Sequence, residues 1–363
     1  MKALVVRSPG TRMAVEDVEL PPLGPADVRV DVAAAGVCHS DLSMIDGTFR
    51  PEFPLVLGHE AAGVVTETGP AATRASPGDH VVLNWAPPCR SCWFCGHGEP
   101  WLCVNGMKAS VPSGTLSDGT PAHATLGLGA LAEQVVVPER AVVPITSELP
   151  LADAALLGCA VLTGFGAVTK TARVRAGESV AVVGLGGVGL TVLAAARAAG
   201  ADPIIAVEIS AAKQQLARAA GATDFVVADD SVAKQVRALT DGRGVDHAFE
   251  CVGRAATIRS AWSLTRRGGS CTILGIGRRD DRAEFSAAEL FHFARTLRSS
   301  VYGSSDPDAD LPALARAVLE GAFDPNLLVT HRVSLDGAAA AFDRMRRGEG
   351  ARTLVLPSSQ PLP

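Results

Sequence analysis

Between Ser179 and Ser210 the chain reads SVAVVGLGGVGLTVLAAARAAGADPIIAVEIS, and this stretch leaves few folds open. A β-branched run, Val180 to Val183, ends in Gly184-Leu185-Gly186-Gly187-Val188-Gly189. An Ala/Leu-rich helix follows and stops at Gly200; a second apolar run then closes on Glu208. Strand, Gly-x-Gly-x-x-Gly, helix, strand and acid, in that order, predict a dinucleotide-binding βαβ unit. Gly184 permits the tight turn, Gly186 lets a diphosphate approach the backbone, and Gly189 lets helix and strand pack closely. Free N–H groups and the positive dipole at the helix start, around Gly187 and Val188, then face the diphosphate. Glu208 stands where a carboxylate accepts hydrogen bonds from a ribose diol and repels a 2′-phosphate, which predicts NAD rather than NADP.

With 363 residues the chain is long enough for two domains, each with its own core. A net charge of −5 argues against a nucleic-acid or membrane-surface role. The start, MKALVVRSPG, reads as a strand entering a turn and not as a signal peptide, and no apolar run is long enough to span a bilayer. The expected location is the cytoplasm, where eight cysteines should be thiols or metal ligands.

Up to about residue 160, short β-branched runs (ALVV, DVRVDV, AAGVVTE, DHVVLNW, AEQVVV) are punctuated by Pro and Gly, which predicts a mostly β domain. From 161 to 301, strand-like runs alternate with helical stretches. Six such runs, the last being SSVYGSS, predict a complete Rossmann domain with a doubly wound parallel sheet. Residues 302–363 offer helices near Leu311–Leu319 and Asp336–Arg347 and a single last strand, Thr353–Leu356. A lone strand has no sheet of its own, so it should return to the first domain. The final SSQPLP reads as a frayed tail.

Two cysteine sets carry chemistry. Cys89, Cys92, Cys95 and Cys103 follow one another closely among Pro and Gly, so four thiolates can wrap one tetrahedral ion and fill every position. That is a closed, structural zinc site; an Fe–S cluster or a redox dithiol are the competing readings. The second set is dispersed: Cys38 in GVCHSD, His59-Glu60 in LGHE and Cys159 in LGCAVLTG. Singly, Cys159 reads as inert core and His59 as a hydrogen-bonded histidine. Together, ahead of a dinucleotide fold, two thiolates and an imidazole leave one metal position open, the pattern of a catalytic zinc. Cys251 and Cys271 read as strand residues of the core.

Over essentially its whole length the chain resembles the zinc-dependent medium-chain alcohol dehydrogenases, in the branch that includes the liver-type and class III enzymes. GVCHSD, GHEAAG, the four-cysteine lobe, GCAVLTGFGAV, GLGGVGL and ARTLVL carry the resemblance. It implies a GroES-like catalytic domain (1–160 and 302–363), a Rossmann NAD domain (161–301) and two zinc ions per chain. By that resemblance Cys38, His59 and Cys159 hold the catalytic zinc, with Glu60 as an alternate or neighbouring carboxylate. Asp41 accepts the second ring N–H of His59, and Ser40 takes the proton of the alcohol. His39 and Arg352 face the diphosphate, Thr163 and Ile276 the nicotinamide region, and Lys213 joins Glu208 at the ribose. Phe49 and Trp85 fall in the substrate pocket, alongside Ile276.

The resemblance further implies hydride transfer between an alcohol and NAD, with the apolar pocket favouring a bulky or aromatic primary alcohol. An S-hydroxymethyl-thiol substrate, as in class III, is the enzymatic alternative, although its acidic pocket positions correspond here to Gly47 and Phe49. A metal-free quinone-reductase-like or non-catalytic relative is the non-zinc alternative. A homodimer joined along Ser299–Gly303 is expected, with a tetramer as the other assembly. Two departures stand out: Ser43 occupies the place of the liver-type relay histidine, and the segment Gly114–Gln134 is shorter than in liver-type relatives.

Overall fold

The computed structural model describes residues 1–357; the tail from Ser358 on lies outside the described residues. Two compact units emerge: Met1–Leu162 together with the chain from Asp306 onward, and Thr163–Ser305. The expected boundaries, after residues 160 and 301, lie slightly before these.

The first unit is built from short strands. In chain order they are β1 (Lys2–Val6), β2 (Ala14–Glu19), β3 (Asp27–Gly36), β4 (Leu55–Val56), β5 (Ala61–Thr68) and β6 (His80–Leu83). Then come β7 (Ser110–Leu116), β8 (Pro121–Thr125), β9 (Gln134–Pro138) and β10 (Val142–Pro144). Strands β1, β2, β7, β8 and β4 close a barrel. Strands β10, β6, β5 and β3 form a sheet, with β9 also on β3. Alternation along β3, with Val28, Val30 and Val32 buried, feeds a core shared with Leu55, Leu57, Leu131 and Phe342.

The second unit holds β11 (Val180–Val183), β12 (Ile204–Glu208), β13 (Asp224–Val227), β14 (Val245–Glu250), β15 (Thr265–Ile273) and β16 (Thr296–Ser299). All pair in parallel in the order β13-β12-β11-β14-β15-β16. This is the doubly wound sheet, with its order reversing between β11 and β14. Strands β11 and β12 are buried end to end, as strands covered on both faces must be.

Three expectations need correction. The sixth Rossmann strand is Thr296–Ser299, not Ser299–Gly303, because Tyr302, Gly303 and Ser304 take left-handed backbone angles that no strand accommodates. The last strand, β18 (Arg352–Leu356), does return to β3 in the first unit, but it is not alone. It also pairs in parallel with β17 (Val329–Ser334), a strand the polar sequence VTHRVS concealed. Finally, Cys271 is buried on β15, whereas Cys251 lies one residue past β14 and is half-buried. The two helices of this segment run Pro307–Leu319 and Ala338–Arg346.

Candidate metal centres and coenzyme site

Cys38 stands at the start of the helix His39–Ile45, two residues past β3, with Asp41 buried and Ser40 half-buried in the first turn behind it. His59 follows Gly58, whose φ of +102° and 2.2 Å approach of a would-be Cβ to the Leu131 nitrogen leave room for no other residue. Cys159 follows Gly158, which packs against the Leu83 carbonyl at 2.8 Å from its would-be Cβ. Tight backbone packing thus fixes two of the three ligand positions. The donor atoms of Cys38, His59 and Cys159 converge within 4.8 Å of one another, and all three residues are buried.

The His59 Nε2 lies 3.5 Å from the Cys159 sulfur, and Nδ1 lies 3.2 Å from Asp41 Oδ1. That Asp41 oxygen also accepts the Gly58 N–H at 2.9 Å, so the carboxylate orients both the ring and its turn. Burial disfavours the imidazolium, but Asp41 and Cys38 outweigh it and raise His59 well above its ordinary value. A hydrogen bond from Cys159 holds Cys38 well below an ordinary thiol, and Cys159 is raised correspondingly. Protons thus share the space between three converging donors, and a divalent cation, which binds the deprotonated form of each, would take their place.

Glu60 stands behind this cluster, fully buried, in space kept open by Gly36. Its carboxylate makes an ion pair with Arg352 at 3.1 Å whose angle falls short of a hydrogen bond. Burial pushes Glu60 up to about 7 against the pull of Arg352. Arg352, expected at the diphosphate, is itself buried and donates to the Val37 carbonyl (3.0 Å) and the Cys38 sulfur (3.5 Å). His39 is exposed on the first helical turn, and Ser40 Oγ lies 3.7 Å from the Cys38 sulfur. The Trp85 ring meets His59 edge-on at 6.5 Å, and Phe49, half-buried, donates its N–H to the Ser43 carbonyl.

In the lobe, Cys89, Cys92, Cys95 and Cys103 form the second converging cluster, partly exposed. Backbone N–H groups of Cys89 and Cys92 point at the sulfurs of Cys103 (3.2 Å) and Cys89 (3.3 Å). The Ser91 hydroxyl and neighbouring donors lower Cys89 to about 5, while burial and Cys92 raise Cys95 to about 12. Outside the cluster, Arg90 takes a left-handed φ of +59° and grips Asp306 through two bonds, at 2.8 and 2.6 Å.

In the second unit, Gly184 (φ +91°) makes the turn after β11, and a Cβ on Gly189 would stand 1.9 Å from the Gly184 carbonyl. A Cβ on Gly186 would meet nothing within 4 Å, so open space lies over the start of the helix Gly187–Ala198 where a diphosphate fits. Glu208 is buried and turned toward this loop, accepting N–H bonds from Leu185 (2.8 Å), Ile209 (2.9 Å) and Ser210 (3.3 Å). Lys213 Nζ lies 3.7 Å from it and donates to the Leu185 carbonyl at 3.2 Å. Thr163 lies half-buried on the helix Ala160–Gly166, and Ile276 is exposed just past β15. Glu250, an acid ending an apolar strand just as Glu208 does, escaped the sequence reading; that shared position was its signal.

Residues 24–147 match the alcohol dehydrogenase GroES-like domain, and residues 187–320 match the zinc-binding dehydrogenase domain. An S-(hydroxymethyl)glutathione dehydrogenase of Escherichia coli O1:K1 / APEC is 36% identical, covering 98% of this chain and 99% of its own. Among solved structures, an alcohol dehydrogenase zinc-binding domain protein from Burkholderia ambifaria superposes with a TM-score of 0.90 at 31% identity, covering 98% of this chain and 99% of its own. The benzyl alcohol dehydrogenase of Acinetobacter calcoaceticus gives 0.89 at 29% identity with the same coverage. A zinc-binding dehydrogenase of Sinorhizobium meliloti 1021, bound to NADP, gives 0.81 at 28% identity, covering 98% of this chain and 99% of its own. With two thiol-rich metal centres, a GroES-like unit and a Rossmann unit accounted for, the chain belongs to the zinc-dependent alcohol dehydrogenases of the medium-chain dehydrogenase/reductase superfamily.

Proposed function

We propose that this enzyme interconverts a bulky or aromatic primary alcohol and its aldehyde with NAD as hydride acceptor. The observation that carries the reading is the buried Cys38–His59–Cys159 cluster with the Trp85 ring edge-on to His59. Cys38, His59 and Cys159 would hold a zinc ion that would supply Lewis acidity toward an alcohol oxygen, and a bound nicotinamide would supply the hydride acceptor. Asp41 fixes the His59 ring so that Nε2 presents its lone pair to the cluster. Ser40, beside Cys38, receives the alcohol proton through its hydroxyl. Ser43 cannot act as a base near neutral pH, so the proton passes from Ser40 to water.

The Trp85 ring beside His59 supports a bulky substrate, as does the likeness to a benzyl alcohol dehydrogenase, while Phe49 packs against the core of the first unit. A panel scored by kcat/KM tests this: benzyl-type alcohols should exceed ethanol at least tenfold, about the value of one or two buried methylenes. A clear lead for S-(hydroxymethyl)glutathione, the substrate in the name of the E. coli relatives, would overturn it. The buried acid Glu208 supports NAD over NADP, and Glu208→Ala should narrow that preference; a wild-type enzyme favouring NADP would refute it. His39 is assigned to the diphosphate, Thr163 and Ile276 to the nicotinamide, and Lys213 to the ribose; Arg352 reaches the diphosphate only by giving up part of its enclosure by Glu60, Cys38 and Val37. Coenzyme KM values of their alanine variants test each.

A homodimer through the open edge of β16 is supported by exposed Leu297 and by Phe291, 88% exposed. A stable monomer in light scattering would refute it. Eight cysteines, none in a disulfide among the described residues, support a reducing, cytoplasmic location.

A further inference from the structure

Strand β14 ends at Glu250, paired with Val183 of β11, at the point where the sheet order reverses and coenzyme crevices form. The Glu250 side chain is fully buried. Its Oε1 accepts the N–H groups of Val252 (2.9 Å) and Gly253 (2.8 Å) and the hydroxyl of Thr257 (2.7 Å). Its main-chain carbonyl accepts the N–H groups of Leu274 (2.8 Å) and Gly275 (3.1 Å). One residue therefore ties the turn after β14 to the turn after β15.

No side chain separates those turns. A Cβ on Gly253 would stand 2.6 Å from the Ile276 carbonyl, and a Cβ on Gly275 only 2.0 Å from the Gly253 nitrogen. Together they hold two aliphatic side chains out in solvent, Val252 at 41% and Ile276 at 46% exposure. Val252 also leans over the diphosphate turn, with its Cγ2 2.4 Å from where a Cβ on Gly184 would be. Apolar groups standing free on this edge of the sheet are placed to meet the flat rings of a dinucleotide.

The choice of a carboxylate is informative. A buried carboxylate is costly to desolvate, and the second oxygen, Oε2, has no hydrogen-bond partner among the described residues. Three donors converging on Oε1 offset that cost with charge-assisted bonds and lock the turns harder than a neutral acceptor would. We infer that Glu250 is a positioning residue for the coenzyme, setting the turns at 251–253 and 274–277 so that Val252 and Ile276 meet the bound nicotinamide dinucleotide. The inference rests on the coenzyme assignment and not on the substrate assignment.

The test is the NADH dissociation constant of the zinc-loaded enzyme, read by fluorescence titration beside the KM values for NAD and for alcohol. Glu250→Gln keeps an acceptor oxygen and loses the charge, and should weaken NADH binding about fivefold. Glu250→Ala loses all three side-chain bonds and should weaken it about thirtyfold. Gly253→Ala leaves Glu250 intact but displaces Ile276, and should resemble the alanine variant. Zinc content should not change in any of the three, nor the alcohol KM in Glu250→Gln. A role confined to holding the fold would lower the melting temperature and leave the affinity of the folded enzyme alone. NADH affinity within about twofold of wild type in both Glu250→Gln and Gly253→Ala overturns the inference. Should Glu250→Ala fail to fold, the glutamine and Gly253→Ala variants decide it. Failure of the wild type to bind either NADH or NADPH would sink the coenzyme assignment and this inference with it.

Discussion

The two cysteine clusters draw on the same side chain for opposite ends. In the lobe, four thiols lie within one short segment, partly exposed, and local N–H groups orient the sulfurs. In the first cluster the ligands come from three distant segments, and burial holds them together. A local cluster can fold around its ion and stabilise the segment that supplies the ligands; a dispersed one depends on a scaffold already folded. The difference teaches that the lobe spends metal affinity on stability, whereas the buried cluster, with three ligands, keeps a position for chemistry.

Removing one ligand from each cluster should separate these ends. Cys38→Ser should lower kcat by three orders of magnitude or more, on the order expected when a catalytic Lewis acid is lost. The protein should stay folded, bind NADH and carry one zinc fewer, as metal analysis and titration would show. A Cys38→Ser protein that unfolds would make the buried cluster structural after all. Cys89→Ser should instead cost several kcal/mol of stability, seen as a large drop in melting temperature with loss of the lobe zinc. Iron and sulfide in the lobe would break the zinc assignment there.

A finer contrast lies in the partners. Asp41→Asn leaves every ligand in place but removes the carboxylate on His59, and should weaken the catalytic zinc about 10- to 100-fold in chelator competition. The lobe zinc should be unaffected, and equal loss from both sites would show that Asp41 acts on the fold alone.

Acid provides a comparison with the second unit. Asp246 accepts Ser179 N–H and hydroxyl and the Arg266 guanidinium. Burial opposes its ionisation, but the Ser179 and Arg266 bonds outweigh that and lower it to about 2. Because the folded value is depressed, the stabilisation is present above the unfolded value near 3.8 and is lost as pH falls through about 2. Asp246→Asn should therefore remove about 2 kcal/mol at neutral pH and flatten the acid limb of the stability curve. Urea melts of wild type and variant side by side from pH 2 to 7 would check this, since loss of zinc in acid is common to both, and a stability difference that stays constant down to pH 2 would refute it.

The smallest effect is expected at Arg90. Its grip on Asp306 is nearly half-exposed, so Arg90→Gln should cost about 1 kcal/mol or less. A loss as large as that of Cys89→Ser would mean that the lobe depends on this clasp as much as on its metal.

Both metal sets were legible in the sequence, for different reasons. Cys89, Cys92, Cys95 and Cys103 announce themselves by spacing alone. Cys38, His59 and Cys159 did so only as parts of recognisable motifs, since residues so far apart carry no local signal. The glycine run was equally plain, because Gly184, Gly186 and Gly189 answer to backbone geometry within a few residues. What sequence spacing could not reveal is where a side chain spends its hydrogen bonds. Glu208 is turned onto its own glycine loop, and Arg352 is enclosed by Glu60, Cys38 and Val37.

The sequence by itself determined the order of elements, the Rossmann rhythm and the residue types able to hold metal and coenzyme. These follow from short-range periodicity and from the few residues that turns and thiolate sites accept. Only the tertiary structure decided that Val329–Ser334 is a strand, since a polar run becomes one when Arg352–Leu356 offers an edge beside it. It alone ended the Rossmann sheet at Ser299, through three consecutive left-handed residues, and placed Cys159 3.5 Å from His59. Contacts across such separations are set by the packing of whole elements, and packing energy belongs to the assembled core rather than to any stretch of chain.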